Sequence, residues 1–146
     1  MNSSLVSFYD RTSRYINYKL GSLFGLGAGS IVFYINREHG FWPAAGGFGK
    51  QFLYNLLVGG FNLKTCERLS RKFDSRLLSL VSATIIPTAQ AFAITYAIHN
   101  LGGTPESLES STWQVYCNLP LFLVFGLGYR RKYEKDLEEI VETRGD

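Results

Sequence analysis

Lys50, Gln51, Gln90 and Asn118 carry an ammonium and three carboxamides into stretches of this chain that are otherwise largely apolar. A charged side chain in hydrocarbon costs about 2.5–3.5 kcal/mol at a helix centre, so a lysine in such a place is a functional hypothesis in itself. An ammonium flanked by amides can hold a phosphate or a carboxylate, which makes these four residues a candidate polar pocket for an anionic group. No Asp or Glu falls within the apolar stretches to neutralise Lys50. The competing reading is that Lys50 leaves the bilayer by extending its stem to the outer interface from an irregular, glycine-rich entry.

A second group of reactive side chains lies between residues 99 and 112: His99, Glu106, Glu109 and the hydroxyls of Ser107, Ser110, Ser111 and Thr112. His99 and Glu106 would be the acid–base pair of a membrane enzyme. Catalytic arrangements of this kind are recognised by geometry, however, and one short loop rarely supplies it. Gly102 and Gly103 more simply make a turn, with a hydroxyl residue capping the helix that follows. Neither Cys66 nor Cys117 has a second Cys or a His at ligand spacing, so no metal site is expected, and no motif calls for a cofactor. The expected catalytic, cofactor-binding and metal sets are therefore empty.

The elements that hold these residues follow from how the charges are clumped. Charged residues make up 18% of the chain and crowd into a few segments, so the intervals between them are long and apolar although the mean hydropathy is near zero. A bilayer core needs about 20 apolar residues per helix, and four stretches approach that length: 18–36, 42–63, 77–99 and 113–129. Residues 20–35 and 77–98 hold no charge on any side, unlike an amphipathic soluble helix. The alternative is a soluble all-α bundle of unusually apolar helices. The sequence thus predicts an all-α integral membrane protein, one polytopic domain over residues 1–146 folded as a four-transmembrane-helix bundle with a tail at 130–146.

Orientation follows from the positive charges. With both termini in the cytoplasm, Arg11, Arg14, Lys19, the cluster Lys64, Arg68, Arg71, Lys72, Arg76, and the tail residues Arg130, Arg131, Lys132, Lys135 and Arg144 are all inside, leaving Arg37 outside. That asymmetry predicts cytoplasmic N- and C-termini. Trp42 and Trp113 then sit at outer boundaries, as interfacial aromatics do. The first twenty residues lack a continuous apolar core of signal-peptide type, so the first span reads as an uncleaved anchor. The short loops suit a bacterial inner membrane.

Within this frame, Gly21, Gly25 and Gly29 recur every fourth residue and form a candidate helix-packing strip, either against another span or between copies. Pro87 and Pro120 predict bends in the third and fourth spans, with Thr84 and Thr88 near enough to satisfy carbonyls that Pro87 frees. Lys64, Arg68, Arg71 and Lys72 share one helical face, opposite Cys66, Leu69 and Phe73. They predict a short amphipathic cytoplasmic helix between spans two and three whose basic face contacts anionic lipids. The footprint is too small for nucleic acid. After Tyr129 the apolar positions Tyr133, Leu137, Ile140 and Val141 continue at helical spacing, so span four is expected to run on as a cytoplasmic helix that folds back on the basic loop.

The fragment 52–62, FLYNLLVGGFN, resembles the first span of the small four-span GtrA-like proteins, a likeness that implies a role in moving lipid-linked sugars. It lies in span two here, and no functional residue carries over. Composition and motifs together predict a small multi-pass membrane protein that serves as a structural or accessory subunit, its partners being the bilayer, anionic lipids, and a membrane protein or a second copy. The alternatives are a transporter or lipid-handling protein binding an anionic group near Lys50, and the His99–Glu106 enzyme.

Overall fold

Helix accounts for 91% of the described residues and no strand occurs among them. The computed structural model describes residues 3–101 and 107–144. The helices are α1 (Ser3–Thr12), α2 (Tyr18–Asn36), α3 (Phe41–Tyr54), α4 (Gly60–Ser70), α5 (Arg76–Leu101) and α6 (Ser107–Arg144). Two compact units divide the chain between Lys64 and Thr65, within α4.

The first unit is a helical hairpin preceded by α1. Asn17 caps α2 by accepting the Leu20 amide at 3.1 Å, which satisfies one of the orphan donors of a helix start. At the far end a short 3₁₀ turn, Arg37–His39, leads to Gly40 at φ 101°, a conformation that residues with a Cβ rarely adopt. Pro43 follows in the first turn of α3, where a missing N–H breaks no helical bond. The chain therefore reverses within a few residues, and α3 returns along α2.

Gly21, Gly25 and Gly29 are the buried positions of α2. A Cβ at Gly29 would lie 2.9 Å from the Phe48 ring, at Gly25 2.9 Å from the Phe52 carbonyl oxygen, and at Gly21 2.7 Å from the Leu56 carbonyl oxygen. Four-residue steps along α2 are answered by four-residue steps in the opposite direction, so the hairpin is antiparallel and the glycines let the Phe48–Phe52–Leu56 ridge approach the α2 backbone. The rings of Phe48 and Phe52 stack with centroids 6.1 Å apart. At the base of the hairpin, Asn17 N–H donates to the Gly60 carbonyl at 2.9 Å.

The expected second span is not one regular helix. Between α3 and α4 the backbone widens into a π-helical turn, Asn55–Gly59. The Asn55 side chain bonds the Gln51 carbonyl at 3.0 Å, and the paired Gly59 and Gly60 remove the side chains that hold a helix to its regular pitch. The expected separate basic helix between the second and third apolar stretches is the end of α4. It stops at Ser70, so Arg71 and Lys72 lie in the turn that follows; their amides bond the carbonyls three residues back, a 3₁₀ tightening common at helix ends.

The second unit contains the close of α4 and the hairpin of α5 and α6. Ser75 caps α5, its hydroxyl accepting the Leu78 amide at 3.3 Å. Thr95 lies against Gln114, Ala83 against Gly126 and Ser79 against Arg130, so each step up α5 is matched by an equal step down α6. The face that α5 presents is a stripe of small residues, Ser79, Ala83, Pro87, Ala91 and Thr95, all buried. Pro87 sits inside a continuous helix. The Thr84 and Thr88 hydroxyls bond the carbonyls of Leu80 and Thr84 rather than the expected Ala83 carbonyl, whose donor Pro87 removes. α6 is continuous over 38 residues with Pro120 inside it, about 57 Å at 1.5 Å per residue, and the segment after Tyr129 belongs to the same helix.

Two helical segments, Tyr18–His39 and Arg76–Ile98, are long and apolar enough to cross a membrane. Only 17% and 33% of their apolar windows are buried, whereas the core helix of a soluble protein is mostly covered. Leu23, Ile31 and Ile35 on α2, and Leu77 and Ile85 on α5, expose more than half of their surface. These two helices point to membrane association.

Candidate functional site

Lys50 is exposed on α3, and Gln51 beside it is half-buried with its carbonyl taken by Asn55; both belong to the first unit. Gln90 and Asn118 belong to the second. The antiparallel register sets Asn118 level with Ala91, next to Gln90, so these two amides share one level of the α5–α6 hairpin. Gln90 Oε1 is buried without a hydrogen-bond partner, which leaves an acceptor unsatisfied at a cost of about 1–3 kcal/mol. One level further along, Thr95 donates its hydroxyl to Gln114 Oε1 at 2.7 Å. The hairpin thus carries the two amides on one level and a hydroxyl–amide bond on the next, among the buried hydroxyls of Ser82, Thr84, Thr88 and Ser111. His99 stands in the last turn of α5, but its side chain and the whole of Glu106 lie outside the described residues.

The basic set has a more definite geometry. Lys64 is half-buried and Arg68 exposed on α4; Lys72 is exposed in the turn, and Arg71 Nη2 pairs with Glu67 Oε1 at 3.1 Å. The centre of this region is a residue that sequence reasoning placed at a membrane edge. Arg130 is 7% exposed. Its Nη1 donates to the Phe73 carbonyl at 2.7 Å, to Ser79 Oγ at 3.2 Å and to the Ser70 carbonyl at 3.4 Å, and Nη2 donates to the Asp74 carbonyl at 3.0 Å. Nε meets Glu134 Oε1 at 2.7 Å. A guanidinium is suited to this work because its planar fork presents five donors at once. It closes the C-terminal end of α4, where carbonyls lack helical partners, and ties the turn between α4 and α5 to α6. The hydrogen bond from Arg130 holds the Glu134 carboxyl below its ordinary value.

Cys66 lies near this hub, its thiol donating to the Phe122 carbonyl at 3.5 Å. Burial first, and the adjacent Glu67 second, push the thiol up to about 12. A buried thiol so far from ionising is not a nucleophile at neutral pH. Among the described residues no three His, Cys, Asp or Glu side chains gather where a metal could bind. The small-residue stripe of α5, absent from the sequence reading, does have a signal in its own spacing and in that of the residues facing it. Ser79, Ala83, Ala91 and Thr95 recur at multiples of four, and so do Phe122, Gly126, Arg130 and Glu134.

No family model matches this chain, no curated protein matches it, and no solved structure matches it. The eleven-residue likeness at 52–62 accordingly has no wider similarity behind it.

Proposed function

We propose that this chain is a small multi-pass membrane protein with four spans and both termini in the cytoplasm, acting as a structural or accessory subunit of a membrane assembly in a bacterial inner membrane. The observation that carries the reading is the pair of long, apolar helices whose large side chains remain mostly exposed. Small-residue packing, the device that joins helices in lipid, occupies the contact face of both hairpins, and the buried Arg130 is spent on the carbonyls of the α4–α5 turn. Such a protein offers rigid helix faces to lipid and to neighbours.

The test is cysteine accessibility in intact cells, in a background without Cys66 and Cys117. Leu101→Cys, at the end of α5, should label with an impermeant thiol reagent from outside and Lys72→Cys only after the membrane is opened. The reverse pattern refutes the orientation, and labelling of both refutes the spans. For the subunit role, extraction in mild detergent should bring down a partner protein in fixed ratio; a stable lone monomer counts against it.

A second reading, transport or lipid handling, uses the unpartnered Gln90 oxygen, an acceptor that would take a hydrogen bond from a donor group of a solute or lipid headgroup. Under that reading Gln90→Leu removes binding of the solute. Under the structural reading it raises stability by relieving an unmade hydrogen bond.

A further inference from the structure

α1 is amphipathic and is fixed to the start of the first apolar helix. Its Tyr9 ring stacks on Tyr18 of α2 with centroids 5.5 Å apart, and the connecting turn is held by the bonds of Tyr15 and Ile16 amides to the Thr12 carbonyl. Phe8 and Tyr9 project from one side of α1 and are 65% and 56% exposed. The other side is a shallow groove of about 410 Å³ lined by Val6, Ser7, Asp10, Arg11 and Arg14. Cations outnumber acids here: Arg11, Arg14 and Lys19 stand with Asp10 alone between residues 6 and 19.

A ten-residue helix is marginal in water unless its apolar side is covered, and α2 begins six residues after α1 ends. A helix with aromatic residues on one side and Arg11 on the other, followed by Arg14 in the turn and attached to an apolar segment, has the form of an interfacial helix. We propose that α1 lies on an anionic bilayer surface, with Phe8 and Tyr9 seated at the boundary of headgroups and acyl chains and with Arg11, Arg14 and Lys19 among the lipid phosphates. This inference rests on the membrane reading above and adds a lipid contact outside the Lys64–Lys72 segment. A bilayer is favoured over a second copy because the exposed set is cationic and aromatic, complementary to phosphate and the interface rather than to itself.

The test uses the full chain with Trp42 and Trp113 changed to Phe, carrying Phe8→Trp in one variant and Leu26→Trp, on the exposed side of α2, in another. Each is reconstituted into vesicles of phosphatidylglycerol and phosphatidylcholine, or phosphatidylcholine alone, containing acyl-brominated lipid. The Phe8→Trp fluorescence should be quenched by lipid brominated near the headgroup and shielded from acrylamide in the anionic vesicles. Arg11→Gln and Arg14→Gln should each lower the bound-to-free ratio about fivefold there, with a much smaller effect in phosphatidylcholine. Full acrylamide quenching of Phe8→Trp while Leu26→Trp is quenched by bromolipid overturns the inference and leaves the membrane reading standing. Shielding from acrylamide without bromolipid quenching also overturns it, since a protein surface then covers α1. If Leu26→Trp escapes bromolipid as well, the membrane reading itself fails.

Discussion

Gly21→Ala should separate cleanly from Gly27→Ala, although both add one methyl group to the same helix. At Gly21 the new Cβ would stand 2.7 Å from the Leu56 carbonyl oxygen, 3.0 Å from that of Asn55 and 3.2 Å from the Leu56 Cα. All three are backbone atoms, so no rotamer change relieves the contact, and α2 must move away from the π-helical turn. A radial gap of about 0.5–1 Å forfeits a quarter to a half of each dispersion contact it opens, and overpacking of this kind costs about 1–3 kcal/mol. At Gly27 nothing lies within 4 Å of the new Cβ, and replacing a mid-helix glycine gains about 0.5–1 kcal/mol. The propensity gain is common to both variants, so they should differ by the overpacking cost, about 1–3 kcal/mol. Gly25→Ala and Gly29→Ala fall between them, because part of each clash is with the rings of Phe52 and Phe48, which can turn. The assay is unfolding of the detergent-solubilised protein by increasing fractions of dodecyl sulfate, followed by circular dichroism. Agreement of Gly21→Ala and Gly27→Ala within about 0.5 kcal/mol, the ordinary scatter of neutral surface changes, refutes the hairpin register.

Arg130→Met should lose about 2–4 kcal/mol in the same titration, since it strips charged hydrogen bonds from three carbonyls and leaves Glu134 alone; Arg130→Lys, with a point charge in place of the fork, should recover only part. Because the Glu134 carboxyl is held below its ordinary 4.5, its contribution is present above that value and fades as the pH falls below it. The acid-side loss of stability should flatten in Glu134→Gln, and an unchanged slope argues against the pair. In a Cys117→Ser background, Cys66 should stay unreactive to maleimide at pH 7.5 until dodecyl sulfate unfolds the chain; rapid labelling of the folded protein contradicts its burial. Thr95→Val should cost about 0.5–1.5 kcal/mol by removing the hydroxyl bond to Gln114 Oε1, and a stabilised variant refutes that bond.

The helices α2 and α5 and most of α6 were legible, whereas α1 and the bounds of α3 and α4 were not. Residues 18–36 form a helix with the bounds that the uncharged stretch suggested, and the third apolar stretch lies within α5, because runs without charge or turn formers end where charges and capping residues begin. The π turn was not legible, since its cause is a local balance between Asn55 and two glycines in a segment of ordinary apolar composition. The contact stripe of α5 was hidden by its chemistry: Ser79 and Thr95 count as polar in a hydropathy reading, yet they are small, and size decides how closely α6 approaches. Arg130 was read with Arg131 and Lys132 as part of a charge run. Only the fold reveals that it points back at the α4–α5 turn, because its acceptors are backbone carbonyls, which leave no mark in a sequence. The candidate polar residues were visible individually as exceptions to an apolar background. That Gln90 and Asn118 share a level depends on the register of a hairpin, which composition does not encode.

A π-helical turn holds one residue more than a regular helix needs to cover the same rise, and at Asn55–Gly59 this has a consequence for how the chain can change length. Excising one residue from most helices swings everything beyond the cut by about 100° around the axis and turns buried side chains outward. Excising the exposed Leu57 instead lets the turn relax to regular pitch while Gly60 keeps facing Asn17. This segment is a built-in expansion joint, a place within a packed hairpin where a single-codon deletion should be silent.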